Sequence, residues 1–185
     1  MKRLILSSIA VLMCSVLFVV FNPNNTHAEE KENVIVMPKY YDENNVEVEP
    51  YSEDEYLEKV NDIIKDDAAD VKKSKISLLS SQPKYVDTFG YGEFRNFVWV
   101  NKGKAYKNPL YLNLERENRT DGLAVYFYTS GDTYKGKVVF PKYGNMWEVA
   151  DVEKFLPRGS SYKFKLVSES GELAKVTHGN IGYNN

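Results

Sequence analysis

Carboxylates are the side chains best placed to do chemistry in this chain. Glu115 and Glu117 stand two residues apart, on one face of a strand, and Asp121 follows in a loop. Two carboxylates held a defined distance apart can hydrolyse a glycoside, one as acid and the other as base or nucleophile. Arg116 and Arg119 interleave them, and that pattern equally describes salt-bridged surface residues. Other catalytic sets find less support. The two histidines are His27 and His178, and the one cysteine is Cys14. No Gly-x-Ser-x-Gly nucleophile elbow is present. With so little imidazole and thiolate a zinc site is not expected, and neither is a cofactor. Gly90-Tyr91-Gly92 lacks the third glycine of a dinucleotide loop and reads as a turn or bulge. Asn118-Arg119-Thr120 has the spacing of a glycosylation acceptor and points to an exposed loop.

Recognition residues are better represented. Tyr126 and Tyr128 alternate with Leu123, Val125 and Phe127, so they face away from whatever those three bury. Tyr134 lies just beyond the next turn, and Tyr111 points outward from its own strand. Outward tyrosines stack on sugars or anchor protein interfaces. Lys163 and Lys165 point outward from a later strand, and Lys102, Lys104 and Lys107 crowd one loop. Together these side chains suit a protein, a glycan or an anionic wall polymer. Nucleic acid is not an expected partner.

The elements that hold them are mostly strands. From Tyr85 onward the apolar period is two. Leu110, Leu112 and Leu114 alternate with Tyr111, Asn113 and Glu115, and Tyr162, Phe164 and Leu166 alternate with Lys163, Lys165 and Val167. This is the half-buried pattern of antiparallel sheets. Further strands are expected over 94–101, 134–140, 146–152 and 173–178, separated by Gly- and Asn-rich turns. Leu112, Leu114, Val125, Phe127, Phe164 and Leu166 form the expected core.

The N-terminal third differs. Lys2-Arg3, an apolar run over 4–21 and Thr26-His27-Ala28 follow the order of a secretory signal peptide, with cleavage expected before Glu29. An uncleaved membrane anchor is the alternative, since the run is near the lower limit for a spanning helix. After cleavage no stable membrane insertion is expected. Residues 29–83 form an acidic arm, with 15 acidic against 7 basic residues and a net charge of −8. Residues 84–185 carry 11 acidic against 15 basic, net +4. Little order is expected over 29–50 beyond a short strand at 46–49. Ser52 and Glu55 have the spacing of a capping box, flanked by the Tyr51/Tyr56 staple. Tyr56, Leu57, Val60, Ile63 and Ile64 continue as an apolar stripe, so an amphipathic helix is expected over about 53–71. An isolated helix of this length is marginal in water. Its stripe is therefore expected to dock through Tyr56, Val60 and Ile63, with the outward Tyr126 and Tyr128 as the nearest surface. Ile76-Ser77-Leu78-Leu79 is a candidate extra strand.

Leu156-Pro157-Arg158-Gly159-Ser160-Ser161-Tyr162 resembles the corner before the penultimate strand of fibronectin type III and related immunoglobulin-like domains. The resemblance covers about a dozen residues. It implies that the Tyr162 hydroxyl bonds backbone just upstream and pins a crossover between sheets. The chain departs from that pattern in its tryptophans, since Trp99 and Trp147 fall in other candidate strands. The resemblance favours a sandwich over a barrel.

The sequence thus predicts a mainly β chain: a signal peptide at 1–28, an acidic arm with one helix at 29–83, and an antiparallel β-sandwich at 84–185. The function it favours is that of a secreted, non-enzymatic binding module. A small carboxylate-dependent hydrolase, and a structural or inhibitory protein regulated by its acidic arm, are the alternatives.

Overall fold

The computed structural model describes residues 36–68, 82–142 and 146–185, without the side chains of 62–68. The expected signal peptide, the strand at 76–79, the stripe residues Ile63 and Ile64 and the helix end beyond residue 68 lie outside that description.

The chain is mainly β, with two antiparallel sheets and one α-helix among the described residues. In chain order the elements are β1 (Lys39–Tyr41), β2 (Glu47–Val48), α1 (Glu53–Ala68), β3 (Tyr85–Phe89), β4 (Gly92–Phe94), β5 (Phe97–Trp99), β6 (Ala105–Lys107), β7 (Pro109–Arg116), β8 (Leu123–Thr129), β9 (Tyr134–Val139), β10 (Trp147–Asp151), β11 (Ser161–Ser168) and β12 (Ala174–Tyr183). The larger sheet runs β2-β1-β9-β8-β11, with β5 and β6 both on the far side of β11. The smaller runs β10-β7-β12, with β3 and β4 both beyond β12.

Alternation decides which faces meet. Leu112, Leu114, Val125, Phe127, Phe164 and Leu166 are all at most 2% exposed. They come from both sheets and share one buried cluster with Val138, Val176 and Ile181. The Tyr162 hydroxyl donates to the Pro157 carbonyl over 2.8 Å.

The outer rim of each sheet is a broken strand. β5 and β6 lie end to end along β11, interrupted by a 3-10 turn over Val100–Gly103. Within that turn Asn101 and Lys102 take left-handed φ values of 44° and 58°. The Asn101 side chain offsets the strain by donating to the Asp87 carboxylate, the Thr88 carbonyl and the Tyr106 hydroxyl. β3 and β4 lie end to end along β12, separated at Gly90-Tyr91. Short, broken edges offer little template for unwanted strand pairing.

The opposite rims are covered by residues 39–60. β1 pairs with β9, so the stretch expected to be weakly ordered contributes two strands to the larger sheet. The reason is Tyr40, which is 1% exposed and stacks edge-on against Phe155. At α1 the Ser52 hydroxyl accepts the Glu55 amide over 3.3 Å. The Glu55 carboxylate meets Lys154 instead of reaching back to Ser52, so one half of the expected capping box is diverted to the β region. Tyr56 and Val60 are buried, and the Tyr56 hydroxyl donates to the Val149 carbonyl over 2.9 Å. Tyr51 donates to Asp151 over 2.6 Å, and Lys59 pairs with the same carboxylate over 2.9 Å. The helix therefore seals the β10 edge of the smaller sheet. It does not lie on Tyr126 and Tyr128, because β10 offers outward carbonyls and a buried carboxylate that need partners.

A bulge adjusts the larger sheet. Phe127 faces Gly136 and Tyr128 faces Tyr134, so Lys135 is the extra residue. Gly136 sits at φ 124°, where a Cβ would fall 2.4 Å from the Tyr41 carbonyl oxygen and 2.7 Å from Phe155. Only glycine fits there. The added residue moves Tyr134 out of the inward phase and places it beside Tyr128.

Candidate functional site: the outer face of the larger sheet

Strand register lines up one row of side chains across this face. Lys165 on β11 faces Trp99 on β5 and Tyr126 on β8. Tyr126 faces Lys137 on β9, Lys137 faces Tyr41 on β1, and Tyr41 faces Glu47 on β2. The order is Trp99, Lys165, Tyr126, Lys137, Tyr41, Glu47, with rings and ammonium groups alternating. At the usual spacing between strands the row is about 24 Å long.

Each neighbouring ring and ammonium in the row are in contact. Lys165 Nζ lies 5.2 Å from the Trp99 centroid and 5.8 Å from that of Tyr126. Lys137 Nζ lies 5.5 Å from Tyr126 and 5.1 Å from Tyr41. These distances suit attraction between a cation and the negative face of a ring. Lys165 also lies 4.6 Å from Tyr128 and 4.9 Å from Phe97, so four rings surround its ammonium.

A second row runs beside the first, with Tyr128 between Lys163 and Tyr134. Tyr134 is 5.6 Å from both Tyr126 and Tyr128, and Trp99 is 5.3 Å from Tyr128. Their planes are tilted by 50–61°, so the surface is ridged rather than flat. Trp99, Tyr126, Tyr128 and Tyr134 are half-buried, and Phe97 is 53% exposed. Burial pushes the Tyr134 hydroxyl up to about 12, helped by Tyr128 and Glu169. Burial also raises Tyr126, whose hydroxyl donates to Glu169 over 2.6 Å.

The lysines of the face are not equivalent. Lys137 pairs with Glu169 at 2.6 Å, and Lys163 with Asp132 at 2.8 Å. Lys165 has no carboxylate within ion-pair distance among the described residues. With its acids engaged by cations, the face combines ring surfaces with a positive charge at Lys165 that no carboxylate among the described residues matches.

Five of the six expected recognition residues are thus brought together: Tyr126, Tyr128, Tyr134, Lys163 and Lys165. Tyr111 is not among them. It lies on the smaller sheet, its ring against Gly182, where a Cβ would fall 2.5 Å from it. Sequence reading missed Trp99, Phe97, Lys137, Tyr41 and Glu169. The alternation of Phe97 and Trp99 about Val98 was the available signal for two of them. Of the loop lysines, Lys104 is held by Asp87 at 2.9 Å.

The candidate acids are engaged separately. Glu115 accepts from Thr177 over 2.6 Å and meets His178 Nδ1 at 3.2 Å, while Glu117 lies 3.8 Å from Lys175. Asn118 is not the exposed acceptor its motif suggests. Its amide donates to the Leu173 carbonyl over 2.6 Å, and its oxygen accepts the Lys175 amide over 2.8 Å. Among the described residues no cluster of acids and histidines could hold a metal ion, and no helix is long and apolar enough to cross a membrane. No family model, curated protein or solved structure matches this chain.

Proposed function

We propose that this protein is an exported, non-enzymatic binding module that meets its ligand on the outer face of the larger sheet. The observation that carries the reading is the alternating row from Trp99 to Tyr41. Aromatic side chains in such number on a solvent-facing sheet supply contact area at low conformational cost, with polar tips for specificity. The sheet itself needs no such row, since cross-strand aliphatic pairs would hold it equally well. Export rests on Lys2-Arg3, the apolar run and the Thr26-His27-Ala28 site.

We read the two sheets as an immunoglobulin-like sandwich with its outermost strands exchanged. In that fold one sheet has the order A-B-E-D and the other C-F-G. Here β7, β8, β10 and β11 pair as B, C, E and F do, and Tyr162 begins the F-like strand at the expected corner. The departures are at the flanks. β12, late in the chain, lies beside β7 in the place of A, and β5 and β6, early in the chain, lie beside β11 in the place of G.

The test is capture. Immobilised full-length protein is exposed to fragmented cell-wall glycan, beside a Trp99→Ala/Tyr128→Ala variant of unchanged melting temperature. Retention by the parent and loss by the variant is the expected result. Equal retention by both would remove the face from the function, and retention by neither would remove the module reading for wall glycans.

A further inference from the structure

We infer that the ligand of this face is an anionic glycan, with its acid group on Lys165 and its sugar rings on Trp99 and Tyr128. The inference rests on the binding-module reading and names the chemistry of its ligand. Among the lysines that point out of the face, Lys39 is matched by Glu47, Lys137 by Glu169 and Lys163 by Asp132, while Lys107 stands at the β6 rim away from the rings. Lys165 is held instead among four rings at 4.6–5.8 Å. Ring faces attract a cation without accepting its N–H groups, and the ammonium donates to no side chain among the described residues. The ammonium is partly removed from water by its neighbours and keeps its donors for an incoming carboxylate or phosphate.

The surroundings select a sugar to carry that acid. Trp99 and Tyr128 flank the ammonium and meet each other edge to face at 61°, which makes a ridged aromatic corner. The apolar C–H face of a pyranose stacks on such a ring, while its hydroxyls stay in water. The row continues from Lys165 through Tyr126 and Lys137 to Tyr41, so a linear polymer has further ring faces along its path. A protein partner would demand a larger apolar centre than this row, in which every second position is a lysine.

Isothermal titration of the full-length protein with hexameric oligogalacturonate, and with its uncharged methyl ester, tests the inference. The acid form is expected to bind about tenfold more tightly than the ester, as one charged hydrogen bond warrants. Its affinity should fall as salt rises. Lys165→Gln should lose that tenfold, and Lys165→Arg should retain most of it. Trp99→Ala should weaken both forms. Equal affinity for acid and ester, or a Lys165→Gln variant that binds the acid normally, would overturn the role of Lys165 while leaving the face as a binding surface. Absence of binding to either form, with wall-glycan capture intact, would overturn the acidic-sugar assignment alone. Capture of a protein in place of either glycan, lost on Trp99→Ala, would overturn it as well. If wall-glycan capture fails too, the module reading falls with it.

Discussion

The hydroxyl of Tyr162 donates to the carbonyl of Pro157, five residues upstream, over 2.8 Å. Tyr162 is 2% exposed, and its ring is packed beneath the turn that carries the chain from β10 to β11. A Tyr162→Phe variant keeps the ring and removes only the donor. It should lose about 1 kcal/mol of stability in urea denaturation, with an unchanged dependence on denaturant. A loss below about 0.3 kcal/mol would show that the turn holds without this bond.

The tie between residues 39–60 and the rest is extensive enough to make one cooperative unit. It includes β1 on β9, Tyr56 on the Val149 carbonyl and Lys59 on Asp151. Deleting residues 29–81 should lower the melting temperature and expose Phe155 and the β10 edge to a hydrophobic dye. A melting curve that does not move, with no added dye fluorescence, would mean that the pairing contributes nothing to stability.

Gly136 gives a sharper probe of the bulge. Its φ is 124°, and the Tyr41 carbonyl oxygen lies 2.4 Å from where a Cβ would sit, which leaves no room for a methyl group. Gly136→Ala should cost roughly 3 kcal/mol from backbone strain and overpacking together. It should also disturb the Tyr126–Tyr134 and Tyr128–Tyr134 contacts, which near-ultraviolet circular dichroism reads directly. A fully stable alanine variant would require a different register between β8 and β9.

Asp87 should contribute to acid sensitivity. The Lys104 ammonium, and then the Tyr106 and Asn101 donors, hold its carboxyl below the ordinary 3.8 against the opposing effect of burial. A depressed folded-state value means that the group stabilises the fold above pH 3.8 and loses that contribution as pH falls through the folded value. Asp87→Asn should therefore flatten the decline in stability below pH 3.8, measured by denaturant midpoint against pH. An identical acid limb in both proteins would assign the sensitivity to other carboxylates.

Alternation made β7, β8 and β11 readable, cleanly in β11 and less so in β7 and β8, where Asn113 and Ala124 are buried on the side opposite the core residues. The same alternation put Tyr126, Tyr128, Lys163 and Lys165 on the outward side. What it could not supply was partnership between strands. That Tyr41 from the arm and Lys137 would complete a row begun at Trp99 depends on register across six strands, which no local period encodes. Tyr134 joins the face only through the Gly136 bulge, a one-residue change of phase. β3, β4 and β6 escaped notice because three to five residues on a broken edge carry too little pattern. The docking surface of α1 was misplaced because the decisive partners are polar: a carbonyl at Val149 and a carboxylate at Asp151, neither visible to an argument from apolar stripes.

The place of β12 governs the order of events in time. It lies between β7 and the β3–β4 rim, so the smaller sheet has a gap at its middle until residues 174–183 have been synthesised. Until then Leu112, Leu114 and Phe89 lack the strand that brings Val176 and Ile181 against them. With β12 as its keystone, the smaller sheet is completed late, through contacts of long sequence separation, and such contacts form slowly. Nascent β7 therefore passes through a period with an unpaired edge, which ends when the ten residues of β12 pair with it.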